Sequence, residues 1–183
     1  MSKVQTDNDE KYYPLKIKIR LQSIDKIKNP VVLDCFSGDG TLWKNIKNLS
    51  DKEIKVLRIE TKQKAKGVYL KGDNKKFLKT IDLKAFDIID LDAYGIPCDQ
   101  LDILFKRNYK GIVIVTAIQS MLGQLPVKML KEVGYSKEMI KKCPTLFSKK
   151  GKEILKQWLA FKGVKEVYGK LDGRKNYFYF EVK

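Results

Sequence analysis

The stretch Val31-Val32-Leu33-Asp34-Cys35-Phe36-Ser37-Gly38-Asp39-Gly40-Thr41 decides the fold. A short apolar run ends in an acid, two glycines follow one residue apart, and an amphipathic segment begins. This order reads as a buried parallel strand, a tight loop and a helix start. Gly38 and Gly40 allow the backbone to approach a ligand where a Cβ would obstruct it. A dinucleotide fingerprint, G-x-G-x-x-G, would need a third glycine at position 43, where Trp43 stands. The usual packed diphosphate site is therefore not encoded.

Working outward, strands and helices alternate. Val31–Phe36 is a predicted strand, Thr41–Leu49 a helix, Ile54–Glu60 and Val68–Lys71 strands, and Asn74–Thr80 a helix. Phe86–Leu91 is a strand, Pro97–Arg107 a helix and Gly111–Ile118 a strand. A helical region from Pro126 to Phe161 is broken at Gly134 and Pro144. Val164–Tyr168 and Asn176–Val182 read as strands, with Asp172-Gly173 as a hairpin signal. Tyr13–Ile27 fits both periods; we read it as a helix, because the sheet that begins after Pro30 needs a cover. Strand–helix alternation implies a parallel sheet with helices on both faces. The expected class is α/β: a Rossmann-like, seven-stranded, mostly parallel sheet closed by a C-terminal antiparallel hairpin. Residues 1–11 are polar and expected to be a mobile N-terminus, with one domain over 12–183.

Composition narrows the chemistry. The chain has 183 residues, 38 basic against 22 acidic, and a formal charge of +16, a field that favours polyanions and nucleic acid first. Only Arg20, Arg58, Arg107 and Arg174 are arginines. Such a lysine-heavy, isoleucine-rich balance is also what an AT-rich genome produces. There is no histidine, which excludes Ser-His and Cys-His nucleophiles, and with no CxxC no zinc site or other metal is expected. Three separated cysteines, Cys35, Cys98 and Cys143, argue against a disulfide framework and fit a reducing cytoplasm. The polar N-terminus shows no signal peptide, and the apolar run Ile112–Ala117 is too short for a membrane span. A cytoplasmic location is expected, and no signal for oligomerisation is visible.

In open α/β sheets, ligands bind beyond the carboxyl ends of the strands. Those ends carry Asp34 to Gly40, Glu60, Gly72-Asp73-Asn74, Asp90 to Gly95 and Thr116 to Gln119. The strand followed by D-x-F-x-G-x-G, Asp34 to Gly40, resembles motif I of class I S-adenosylmethionine-dependent methyltransferases. The seven-strand order with a final antiparallel insertion is similar to their fold. The resemblance implies S-adenosylmethionine as cofactor, held by Asp34, Phe36, Ser37, Gly38, Gly40, Glu60, Asp73, Asn74 and Asp90. Glu60 is placed to accept hydrogen bonds from two ribose hydroxyls, and Asp34 to meet the methionine amine. Asp73 is a candidate acceptor for the adenine amine or, alternatively, the N-cap of the helix that follows.

Asp90-Leu91-Asp92-Ala93-Tyr94-Gly95-Ile96-Pro97 resembles the D-x-D-P-[FY]-G-S-P segment of the tRNA guanine N2-dimethyltransferase family, with Ala93 in place of proline and Ile96 in place of serine. Gly111 to Ala117 is similar to that family's next strand. The resemblance covers about residues 31–120 and implies N-methylation of an exocyclic base amine in RNA or DNA. Asp92 would be the amine acceptor and Tyr94 the stacking platform, with Lys71, Lys75 and Lys142 as basic residues near the site. Pro97-Cys98 keeps a cytosine-C5 mechanism open, although a buried structural cysteine is the plainer reading. Lys142-Cys143-Pro144-Thr145 is a candidate border of the substrate entrance. Two further alternatives are a protein or small-molecule methyltransferase and a non-catalytic module binding nucleic acid or a protein.

Overall fold

A computed structural model describes residues 12–61, 67–119, 124–143 and 146–183. The expected mobile terminus at 1–11 and positions Pro144 and Thr145 lie outside the described residues. Seven strands form one sheet in the order β3-β2-β1-β4-β5-β7-β6. They are β1 (Val31–Asp34), β2 (Lys55–Glu60), β3 (Leu70–Lys71), β4 (Ile88–Asp92), β5 (Gly111–Ile118), β6 (Tyr168–Asp172) and β7 (Lys175–Val182). The first five run parallel, and β7 inserts antiparallel between β5 and β6. This is the expected sheet.

The central strands are apolar on both faces because both faces are covered. Helix α1 (Tyr13–Ile24) and α2 (Thr41–Leu49) cover one face, where Ile19, Ile24, Trp43 and Ile46 pack on Val32, Ile88 and Ile114. The other face carries α3 (Asn74–Thr80), α4 (Cys98–Lys106), α5 (Val127–Glu132) and α7 (Leu146–Phe161). There Leu78, Leu101, Leu104, Met129, Leu155 and Trp158 meet Leu33, Leu91, Val113, Phe178 and Phe180. A short α6 (Lys137–Lys142) and a 3-10 turn at Leu83–Ala85 complete the described elements.

Tyr13–Ile24 is a helix, with Pro14 in its first turn, where a missing N–H costs nothing. It buries Ile19, Arg20, Ser23 and Ile24, the i, i+1, i+4, i+5 pattern of a helix stripe. The alternation of Leu15, Ile17, Ile19 and Leu21 is incidental.

The sequence places β6 at Val164–Tyr168; the structure places it at Tyr168–Asp172. Val164 instead ends α7. Its N–H donates to the Leu159 carbonyl and the Gly163 N–H to the Ala160 carbonyl, a Schellman closure that tucks the valine into the core. The shift also moves the two-residue turn to Gly173-Arg174, because Asp172 pairs with Lys175.

Candidate active site

The carboxyl ends of β1, β2, β4 and β5 meet along one edge of the sheet. Asp34 and Asp90 are register partners, and Asp92 faces Thr116. Register partners project to the same face, so Asp34, Asp90 and Asp92 all point toward α1. Three carboxyl groups on one buried face need compensation, and α1 supplies it.

Arg20, itself 1% exposed, donates from Nε to Asp90 Oδ2 at 2.7 Å and from Nη2 to Oδ1 at 2.8 Å. The Trp43 indole N–H donates to Asp90 Oδ2 at 2.8 Å. Lys16, one turn before Arg20, sets its ammonium 2.9 Å from both Asp92 oxygens, and Arg20 Nη2 lies 3.5 Å from Asp92. Burial works against the Arg20 charge, yet Asp90 and Asp92 outweigh it and raise its pKa. Burial, with Asp90 adding to it, pushes Asp34 well above the carboxylate range. Burial also raises Asp90, although Arg20 opposes it. For Asp92 burial is overcome by Arg20 and Lys16, and its pKa is lowered. Of the three carboxyls only Asp92 is held below its ordinary value, and Asp34 is the one raised most strongly.

The loop after β1 is stitched by its neighbours. Cys35 N–H donates to the Asp90 carbonyl and Ser37 N–H to the Ile59 carbonyl. Asp34 Oδ1 accepts from Phe36 N–H at 3.3 Å. Asn74 is buried; its Nδ2 donates to the Cys35 carbonyl at 2.8 Å and its Oδ1 accepts from Gln100 at 2.9 Å. Asn74 therefore bridges the loop to α4. Asp73 caps α3 by accepting from Lys75 N–H at 2.8 Å. Glu60 Oε2 accepts from Gly38 N–H and Oε1 from Thr61 N–H, each at 2.8 Å.

Two observations show room for a ligand. A Cβ built on Gly38 meets nothing within 4 Å, and φ there is +52°. Beside it Ser37 Oγ is buried with no hydrogen-bond partner among the described residues. A Cβ on Gly40 would come 2.4 Å from the Arg58 guanidinium, whose Nη2 donates to the Gly38 carbonyl at 3.1 Å. Space at Gly38, an unsatisfied hydroxyl and an adjacent carboxylate fit a ligand rich in hydroxyl groups.

The loop after β4 turns outward. Ala93 is buried and Tyr94 is 74% exposed, so Tyr94 is not a core residue. Ile118 N–H donates to the Gly95 carbonyl at 2.9 Å, tying this loop to the end of β5. Cys98 opens α4 but is 4% exposed, and its thiol is pushed up to about 11 by burial, then by Asp99. At neutral pH it is a buried thiol and a poor nucleophile. Lys75 lies 3.5 Å from Asp99 and Lys71 is exposed, both on the β3–α3 side. Two cavities of about 430 and 410 Å³ line α7 rather than the strand ends.

Sequence reasoning missed Lys16, Arg20 and Trp43. One signal was available: Arg20, one of four arginines, interrupts the apolar stripe of α1 one turn after Lys16. A charge in that position calls for a buried partner.

No family model and no curated protein matches the sequence. Solved structures do. A SAM-dependent methyltransferase of Aquifex aeolicus is 15% identical, covers 97% of this chain and 95% of its own, and superposes with a TM-score of 0.53. A candidate rRNA-methylase of Clostridium thermocellum is 15% identical over 89% of this chain and 94% of its own, with a TM-score of 0.50. A plantazolicin methyltransferase, solved with a triazolic desmethylPZN analogue and SAH, is 13% identical over 91% of this chain and 69% of its own, with a TM-score of 0.53. The fold of this chain is that of the class I S-adenosylmethionine-dependent methyltransferases.

Proposed function

We propose that this chain is an S-adenosylmethionine-dependent methyltransferase acting on an exocyclic amine of a nucleic-acid base. The observation that carries the reading is the juxtaposition, at one sheet edge, of the open Gly38 loop with its unsatisfied Ser37 hydroxyl and the anionic Asp92, two residues before the exposed Tyr94.

S-adenosylmethionine, when bound, supplies an electrophilic methyl group. Asp34, Phe36, Ser37, Gly38 and Gly40 would hold it along the first loop, and Glu60 would accept from its ribose hydroxyls. Asp73, whose Oδ1 caps α3, would face the adenine amine. Asn74 and Asp90 would fix the loop. A base amine is a poor nucleophile because its lone pair is delocalised into the ring. Asp92 accepts an amine N–H and localises that lone pair, and Tyr94 stacks on the base. Lys16 and Arg20 keep Asp92 anionic, and hence a strong acceptor. A base within a duplex must be flipped out to reach it.

Calorimetry should show S-adenosylmethionine or its homocysteine product bound, with binding lost in Gly38→Val and weakened by roughly 1–3 kcal/mol in Glu60→Ala. Binding of NADH and not of S-adenosylmethionine would refute the class. Nucleoside mass spectrometry of RNA and DNA from expressing cells should reveal an N-methylated base that Asp92→Ala does not make. Asp92→Ala should cut turnover at least about tenfold while cofactor affinity stays within about threefold, because the acceptor acts mainly in the transition state.

A second reading, a cofactor-fold module without transfer, draws on the Lys16 ammonium already seated on Asp92 and on Ala93. Bound S-adenosylmethionine with no turnover on any nucleic acid would favour it.

A further inference from the structure

Helix α1 sets a cation on the proposed acceptor. Lys16 Nζ donates to Asp92 Oδ2 at 2.9 Å. Asp92 Oδ1 is enclosed and receives no directed hydrogen bond among the described residues. The Asp92 side chain is 14% exposed and that of Lys16 21%, so an incoming group can reach this pair. With Oδ1 enclosed, it meets the carboxylate at Oδ2, the oxygen on which Lys16 sits.

The ammonium stays there. A hydrogen bond between ionised partners is roughly twice as strong as one from a neutral donor, so a neutral amine does not displace it. A carboxylate has about four lone-pair positions, two on each oxygen, and Oδ2 can hold a second donor beside Lys16. Arg20 Nη2, 3.5 Å from Asp92, is committed to Asp90. Lys16 itself has three N–H groups, of which one serves Oδ2, and its ammonium stands 5.9 Å from the centroid of the Tyr177 ring. Among the described residues Lys16 Nζ makes no other hydrogen bond. Solvent satisfies the remaining N–H groups until a substrate covers the pair. A donor left unpaired at that moment carries a desolvation penalty, and an acceptor next to the amine removes it.

We propose that Lys16 reads the substrate together with Asp92: the carboxylate accepts from an exocyclic amine while the ammonium donates to the adjacent ring nitrogen. The pair thereby selects the N–C–N edge that adenine, cytosine and guanine carry and that anilines and alkyl amines lack. The proposal rests on the reading of a base-amine substrate and names what makes the amine acceptable. A site built to hydrogen-bond a group rejects analogues without it far more sharply than a site that only fits their shape. The contact acts on selection rather than on rate. A donor on the ring nitrogen draws the amine lone pair toward the ring, which opposes the localisation that Asp92 provides. The effect of Lys16 therefore belongs in KM rather than in kcat.

The test uses the full chain with S-adenosylhomocysteine and two small probes. In 2-aminopyridine the amine lies next to a ring nitrogen; in aniline it does not. Ligand-observed NMR titrations are run in mildly alkaline buffer, where 2-aminopyridine is uncharged. Wild type should bind 2-aminopyridine at least about tenfold more tightly than aniline, the scale of one donor left unpaired. Lys16→Met should lose that preference without weaker binding of aniline; Arg20 still faces Asp92 and keeps the carboxylate ionised. Lys16→Arg retains a donor and should retain the preference. A cooperative thermal transition in both variants shows that they fold. No preference in the wild type, absence of binding included, overturns the proposal, as does a preference that survives in Lys16→Met. Tighter binding of both probes by Lys16→Met also overturns it, because Lys16 then acts as a plug. Once nucleoside mass spectrometry has identified a methylated base, exchanging the ring nitrogen beside its amine for C–H should raise KM at least about tenfold in wild type and leave KM nearly unchanged in Lys16→Met. The two readings fail separately. If wild type methylates a base but the preference does not depend on Lys16, the reading by Lys16 falls and the function stands. If wild type methylates no base while the preference does depend on Lys16, the function falls and the reading by Lys16 stands.

Discussion

Arg20→Met offers the sharpest test of how α1 is held to the strand ends. Asp90 is fully buried and accepts three hydrogen bonds, two from Arg20 and one from the Trp43 indole. Methionine retains the apolar stem of the arginine and removes both charged donors, leaving a buried carboxyl with one neutral partner. Removing one partner of a buried ion pair costs about 3–5 kcal/mol, far more than the intact pair contributes over an apolar replacement. For a chain of this size that is a fall in Tm of roughly 6–20 °C.

The pH dependence has a definite sign. Asp90 already has a raised pKa in the folded protein, with Arg20 as the chief influence opposing that rise. In Arg20→Met it rises further, so the folded state binds its proton more tightly than the unfolded state does. The loss relative to wild type is therefore smallest in acid and grows as pH climbs through the folded-state pKa. Adding Asp90→Asn keeps an acceptor for Trp43 and removes the uncompensated charge, and should restore at least half of the lost stability. Urea denaturation at several pH values reads all three proteins. A loss below about 1 kcal/mol, a loss independent of pH, or a double variant no better than Arg20→Met would each refute the reasoning.

Asp34→Asn should also change stability with a defined sign. The Asp34 pKa is raised by burial and by Asp90, so its native-state contribution is present in acid and is lost as pH rises through the folded value. Asparagine keeps the acceptor for Phe36 N–H without the charge, and the variant's denaturation midpoint should gain on wild type as pH increases; a midpoint that falls behind in alkali would contradict this. Cys98→Ser should cost about 1–2 kcal/mol in thermal denaturation, from burying a hydroxyl in place of a thiol. Its methyl transfer in a radiolabel assay should persist, and a folded, cofactor-binding but inactive Cys98→Ser would put the C5 mechanism first.

Most of the fold was legible because it rests on local pattern. The helix at Asn74–Thr80 and the strand at Gly111–Ile118 have the predicted bounds, set by an Asp cap in one case and a β-branched run in the other. The misplaced β6 shows where pattern fails. Val164 and Val167 look like strand residues, but the Gly163-Val164 pair closes a helix, and apolarity alone does not distinguish a sheet from a helix stop. At the site, the strand-end acids were legible from their position. Their compensation was not: Lys16 lies 76 residues from Asp92 and Arg20 70 residues from Asp90 in sequence, and no local spacing links them. The capping role of Asp73 was visible as an alternative because an N-cap is a local signal. The Tyr12–Tyr177 stack joins the first described residue to the last strand and could be seen only in three dimensions.

The insertion of β7 has a consequence for how the chain reaches this state. β7 comes last of the seven strands in sequence, yet it lies between β5 and β6. Until it docks, β5 has an open edge along its eight residues, and β6 has no sheet partner at all. Val113, Val115, Phe178 and Phe180 then lack the neighbours that bury them in the finished sheet. An open, β-branched edge is a template for pairing with another chain, and strands that close late expose it for longer. The β5–β7 seam is thus the point at which maturation and self-association compete. Lys110, just before β5, and Lys175, at the start of β7, place a positive charge near each end of that seam, where charge discourages a second copy from adding on.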